Sequence, residues 1–249
     1  MRFLTTLGLL CFSSALALAQ QSATPPTTDD NSKTTPTPAS AKPSEDAEMK
    51  SEQSKRLVGV VPMFAVTSRQ DARPLTSSEK FHLWEKSTFD PFVPIAVGFQ
   101  AGISQWQNEF PAYGQGAAGY GKRFGAALAD GMSSGFFSNA VYPVLLHEDP
   151  RFFRLGQGSF GTRFKHALLQ EFVCRTDRRG QSFNFSNVFG AFTTGGISNI
   201  YYPPSDRGFE LTMSRSAISL AYGSAGGLFS EFGPDLEAKI LHRKPKPMQ

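Results

Sequence analysis

Cysteine is almost absent from this chain: there are two among 249 residues, Cys11 and Cys174. Cys11 falls in an N-terminal stretch that reads as a removable signal. Cys174 is then alone in the mature chain, which excludes an internal disulfide. Histidine is scarce as well, with four residues, His82, His147, His166 and His242. No G-x-S-x-G elbow, H-E-x-x-H pattern, EF-hand loop or paired-carboxylate motif occurs, so the usual signatures of serine hydrolases, zinc proteases and calcium sites are missing. Long apolar runs are also lacking. Segments 91–108, 131–147, 181–205 and 216–230 carry no charge, but a spanning helix needs about 20 mostly apolar residues. The third alone is that long, and it is full of Asn, Ser, Thr, Gln and Gly.

The N-terminus has the plan of a signal peptide over residues 1–19. Arg2 supplies positive charge, 3–18 is apolar apart from small residues, and Ala17-Leu18-Ala19 is a cleavage site before Gln20. Gly8-Leu9-Leu10 before Cys11 does not suit acylation. The expected address is therefore the periplasm or cell envelope, with the outer membrane among the candidate sites. Residues 20–56 are Pro/Thr/Ser-rich, with five basic and six acidic residues, and read as a disordered tether. Residues 57–249 read as one Gly/Ala-rich domain.

Within that domain 57–66 is short, apolar and β-branched, suiting an extended arm with Pro62 kept out of any central strand. Thr76-Ser77-Ser78-Glu79 has capping-box spacing and predicts a helix to about Ser87. Asp90-Pro91 predicts a second, to about Asn108. A long helix is expected over 115–147 with a kink at Pro143, and others over 162–175, 186–201 and 212–232, the last stopping at Gly233-Pro234. Strand alternation is confined to short stretches such as 182–189. The expected fold is therefore all-α, a bundle of about five to six helices with a short extended arm at its N-terminal side.

Segment 114–135 holds seven glycines in 22 residues. Glycine inside a helix costs about 1 kcal/mol relative to alanine, so close packing is the expected compensation. Ala117, Gly121, Gly125, Ala129 and Ser133 recur every four residues, with Gly131 and Gly135 nearby; Gly195, Gly223 and Gly227 repeat the theme. Leucine at Gly121 and Gly125 is expected to block folding or assembly. Gly114-x-Gly116-x-x-Gly119 matches a dinucleotide fingerprint formally, but no strand precedes it.

Two segments invite functional readings. From 151 to 179 there are seven basic residues and two acidic ones. Arg151, Arg154, Arg163, Lys165, Arg178 and Arg179, interleaved with phenylalanines, suit an anionic membrane surface or an envelope partner protein; export argues against nucleic acid. His147-Glu148-Asp149 is the densest group of acid–base or ligand side chains. Adjacent residues splay apart, so the bland reading is a helix end with its carboxylates paired to Arg151 or Arg154. Cys174 reads as a small buried hydrophobe on a helix, two turns from His166.

The blocks GQGAAGYGKRFG at 114–125, LLHEDPRFFR at 145–154, RTD at 175–177 with FNFS at 183–186, and SNIYYP at 198–203 together resemble a family of exported bacterial proteins. Its members have a signal peptide, a Pro-rich tether and a Gly/Ala-rich helical domain. No activity is attached to that family, so the resemblance implies domain limits and an envelope address and transfers no functional residue. The first expectation is a non-enzymatic envelope protein, membrane-associated and able to form homo-oligomers, with no cofactor or metal implied. The alternatives are an exported hydrolase or lipid-modifying enzyme using His147, Glu148 and Asp149, and a lipid-binding carrier with a cavity between the second and last helices.

Overall fold

A computed structural model describes residues 44–241. The signal peptide, residues 20–43 of the tether and the basic end from His242 onward lie outside the described residues.

The described chain opens on a helix where the sequence suggested tether. Helix α1 (Glu45–Glu52) is capped by the Ser44 hydroxyl and carries three acidic residues in its first turn. Met49 clusters with Phe64, Leu75 and Leu83, and the Thr67 hydroxyl donates to the Glu52 carboxylate at 2.9 Å. One apolar and one polar anchor thus dock a segment whose composition is otherwise that of a linker, so residues 45–52 are a packed helix and not disordered tether.

The extended arm is present. Strands β1 (Arg56–Leu57) and β2 (Val61–Pro62) pair antiparallel, while β3 (Val66–Thr67) runs parallel to β5 (Phe152–Phe153). Strands β4 (Glu148–Asp149), β6 (Val173–Thr176) and β7 (Gln181–Phe183) form an antiparallel sheet in the order β4-β6-β7.

Helix α2 (Ser77–Thr88) begins at the expected capping box, with the Thr76 N–H donating to Glu79 at 2.8 Å. Helix α3 (Phe92–Trp106) starts where Asp90 accepts from the Phe92 N–H. The glycine-rich helix α4 (Gly116–Phe136) passes through a π turn (Phe137–Val141) into α5 (Tyr142–Leu145). The Tyr142 N–H reaches back five residues to the Phe137 carbonyl. Pro143 therefore lies at a helix start, where its missing N–H is tolerated, and the irregularity precedes it.

Two boundaries differ from expectation. Helix α6 (Phe160–Leu169) ends early, because residues 173–183 fold back as a hairpin whose first strand also pairs with β4; Cys174 is thus on a strand. Helix α7 (Phe185–Ser198) is close to its expected place. Helix α8 (Phe209–Ile240) continues through Pro234. The Glu231 carbonyl, in the turn before that proline, accepts from Arg154 Nε at 2.8 Å and Arg163 Nη2 at 2.9 Å. Donors from elsewhere in the chain thereby hold the turn that precedes the proline.

These elements form the all-α bundle, with α7 packed on α8 and α4, α3 on α4, and α6 on α8. Glycines set the closest approaches. A Cβ on Gly195 would stand 2.5 Å from the Thr212 carbonyl, one on Gly227 2.5 Å from that of Ala167, and one on Gly190 2.0 Å from Ser138 Oγ. Gly135 abuts Trp84 at 3.2 Å. The four-residue ridge of α4 behaves otherwise. Gly121, Gly125 and Gly131 have open space around them, Ala117 is exposed and Ala129 half-buried. Helix α4 instead buries Gly119, Arg123, Ala126 and Asp130. The ridge at Gly121 and Gly125 is thus an outer face, which corrects the expectation that it packs within the fold.

Candidate functional site

The three residues of the His147 cluster diverge. His147 adopts a left-handed backbone conformation, φ 55°. Its side chain is 76% exposed, with Nδ1 3.8 Å from an Asp177 carboxylate oxygen. Glu148 and Asp149 are buried on β4, where successive side chains point to opposite faces. Glu148 caps α7, accepting from the Ser186 N–H at 2.9 Å and the Phe185 N–H at 3.3 Å. Asp149 pairs with Arg151 through Nε at 3.0 Å and Nη2 at 2.6 Å. One imidazole on the surface and two engaged carboxylates inside do not make an acid–base pair around a shared substrate.

The basic segment divides in two. Arg151 and Arg154 are buried and Arg163 nearly so. Arg154 binds Asp235 at 2.6 Å and Arg163 binds the fully buried Glu231 at 2.6 Å. Glu231 also accepts the Leu155 and Gly156 N–H groups. Arg151, Arg154 and Arg163 are therefore engaged inside the fold, with acidic partners (Asp149, Asp235 and Glu231) that lie outside the 151–179 window. Lys165, Arg178 and Arg179 are exposed.

Cys174 is half-buried, and burial, followed by the Glu148 charge, pushes its thiol up to about 12. It stays protonated at neutral pH and is a poor nucleophile. Among the described residues no group of three or more His, Cys, Asp or Glu is placed to hold a metal ion.

A buried polar network centres on Asp130, a residue the sequence reading did not single out. One carboxylate oxygen accepts from Ser198 Oγ and Tyr201 Oη, both at 2.6 Å. The other accepts from Tyr202 Oη at 2.7 Å and from Arg215. Burial raises both Tyr201 and Tyr202 well above the usual phenol range, and Tyr113 to about 12. The signal available in the sequence was a single acid within a long charge-poor stretch. A space of about 20 Å³ lies beside this network between α3, α4 and α8, room for roughly one water.

A cavity of about 160 Å³ lies between the end of α6, the start of α7 and the middle of α8. Glu148, Asp149, Glu171, Cys174, Ser186 and Gly223 contribute to its wall, so two of the three cluster residues reach it. Glu171 occupies a slot over Gly223, where a Cβ would meet its carboxylate at 2.2 Å. Burial pushes the Glu171 carboxyl up to about 7.

Helices α7 and α8 reverse the usual order of polarity over most of their length. Helix α7 buries Ser186, Gly190, Ala191, Thr194, Gly195 and Ser198, yet Phe185, Phe189 and Phe192 are exposed. On α8 the exposed residues Ile218, Tyr222, Phe229, Leu236 and Ile240 follow helical spacing along one stripe. On α3, Ile95 at 66% and Trp106 at 81% exposure share a face with Phe99. No described helix is long and apolar enough to cross a membrane. No family model, curated protein or solved structure matches the chain.

Proposed function

We propose that this chain is a non-enzymatic interaction protein of the cell envelope, seated on or partly within a membrane by the apolar outer faces of α3, α7 and α8. The observation that carries this reading is the inverted burial, with Ser, Thr, Gly and a charged Asp130–Arg215 pair inside and Phe, Ile and Trp outside. In water such faces cost free energy, and contiguous apolar patches mark contact with lipid or protein. Helices in lipid associate through small residues and inward hydrogen bonds, as α7 and α8 do at Gly195, Thr212 and Ser216. The signal-peptide pattern at 1–19 supports an exported address.

At 14 residues α7 is about 21 Å long, short of a hydrocarbon core of about 30 Å, which favours partial embedding over spanning. Anchorage by the basic segment is set aside because its central arginines are committed to internal carboxylates. Fractionation tests the reading: the protein should stay with membranes through a high-salt wash and resist carbonate. Release by salt would restore surface electrostatics as the anchor, and a wholly soluble protein would overturn the membrane role.

Self-association is the second reading, favoured by the open Ala117–Gly121–Gly125 face of α4, which lets another helix approach closely. A concentration-independent monomer in detergent would remove it.

A further inference from the structure

Two groups on the wall of the 160 Å³ cavity have no hydrogen-bonding partner among the described residues. Among the described residues the Glu171 carboxyl makes no hydrogen bond or ion pair, although its main-chain carbonyl accepts from the Asn187 side-chain amide at 3.4 Å. Ser186 is 2% exposed and its Oγ has no hydrogen-bond partner. Its N–H is satisfied by Glu148, so the hydroxyl alone is left over. A buried hydroxyl such as that of Ser186 is ordinarily paired, and left unpaired it costs free energy unless something fills the site.

The other wall groups are already engaged. Glu148 is committed to the start of α7, and Asp149 to Arg151. Asn184 Nδ2 donates to the Gln170 carbonyl, and Gln170 Nε2 to that of Phe153. The charged and titratable wall groups are therefore Glu148, Asp149, Arg151 and Cys174 besides Glu171, and the wall residues of α7 and α8 add none. What remains on the wall is the Glu171 carboxyl, an acid without a counter-charge among the described residues, and the free Ser186 hydroxyl. Gly223 keeps the slot open for that carboxylate.

The volume of about 160 Å³ has room for several waters or for a small organic molecule. A polyvalent metal fits less well, since no three ligand side chains converge among the described residues. We propose that this cavity binds a small organic cation, a primary ammonium with a neighbouring hydroxyl or ester oxygen, its ammonium on Glu171 and its oxygen at Ser186. Binding holds Glu171 ionised, so it strengthens as pH rises through the raised value near 7. The chemistry is that of a free amino alcohol or of a phosphatidylethanolamine headgroup, and it does not depend on how the protein meets a membrane.

The test is calorimetric titration of the mature chain with ethanolamine hydrochloride at pH 8, alongside Glu171→Gln and Ser186→Ala variants whose folding is checked by circular dichroism. Saturable binding at one site is expected, weakened about tenfold or more by Glu171→Gln and severalfold by Ser186→Ala. A second arm compares sedimentation with phosphatidylcholine vesicles and with vesicles containing phosphatidylethanolamine. A gain on the latter that needs Glu171, without binding of free ethanolamine, supports the ammonium site and assigns it to lipid. Absence of both signals overturns the proposal, as does ethanolamine binding that Glu171→Gln leaves intact. Calcium chloride binding that exceeds ethanolamine binding and disappears in Glu171→Gln also overturns it, in favour of a metal.

Discussion

Gly195 of α7 and Thr212 of α8 meet backbone to backbone, so closely that a Cβ on Gly195 would lie 2.5 Å from the Thr212 carbonyl oxygen. Ser216 Oγ closes the same contact from the next turn and donates to the Ala191 carbonyl at 3.1 Å. This helix pair is the spine of the fold. Its tightness needs the smallest side chain on one partner and a hydroxyl on the other.

Substitutions at glycine should separate buried from open positions. Gly195→Ala has no room and should lower stability by about 1–3 kcal/mol. Gly121→Ala and Gly125→Ala meet nothing within 4 Å and should raise it by up to about 1 kcal/mol each through helix propensity. Thermal melts of the three variants check this. Equal destabilisation at all three would mean that the α4 ridge packs internally after all.

Asp130→Ala should cost about 3–5 kcal/mol, because it leaves Arg215 buried without its counter-charge. Replacing both residues with leucine should recover part of that loss. Denaturant titration of the single and double variants reads the difference. A single variant close to wild type would show that the network contributes little.

Stability should pass through a maximum in mildly acidic solution, since two carboxylates titrate with opposite sign. Glu171 has a folded value near 7 against an ordinary 4.5, so the folded state binds the extra proton between those values. Stability then falls as pH rises through that window, by about 3 kcal/mol in all. The Arg73 guanidinium holds Glu79 down at about 2. Its contribution is present above 4.5 and is lost as pH falls towards 2. Chemical denaturation across pH checks both limbs, and Glu171→Gln should flatten the neutral one while leaving the acid one.

Local signals were legible in the sequence and distant partners were not. The Thr76–Glu79 box and the Asp90 start lie within three residues of the helices they open, so their meaning is carried locally. Pro234 did not stop the helix, and Arg154 and Arg163, some 70 to 80 residues earlier, bind the Glu231 carbonyl in the turn before it. The same long-range pairing hid the fate of Arg151, Arg154 and Arg163, whose local window shows excess charge but not the acids on α8. Residues 170–175 read as helix until β4 and β7 supplied strand partners. Spacing of small residues located smooth faces on both α4 and α7 without showing which one would be covered. Of the cavity, Glu148 and Asp149 were visible as a cluster and Gly223 as a packing glycine. Glu171 and Ser186 gave no pattern, because only the fold brings them together.

Trp106 gives the most direct test of the membrane reading, since it is 81% exposed at the end of the apolar face of α3. In a Trp84→Phe background it is the only tryptophan, and its emission can be followed as vesicles with brominated acyl chains are added. The outward apolar faces predict a blue shift and strong quenching that persist at high salt. Emission unchanged by vesicles, with the protein remaining in solution, would contradict the account.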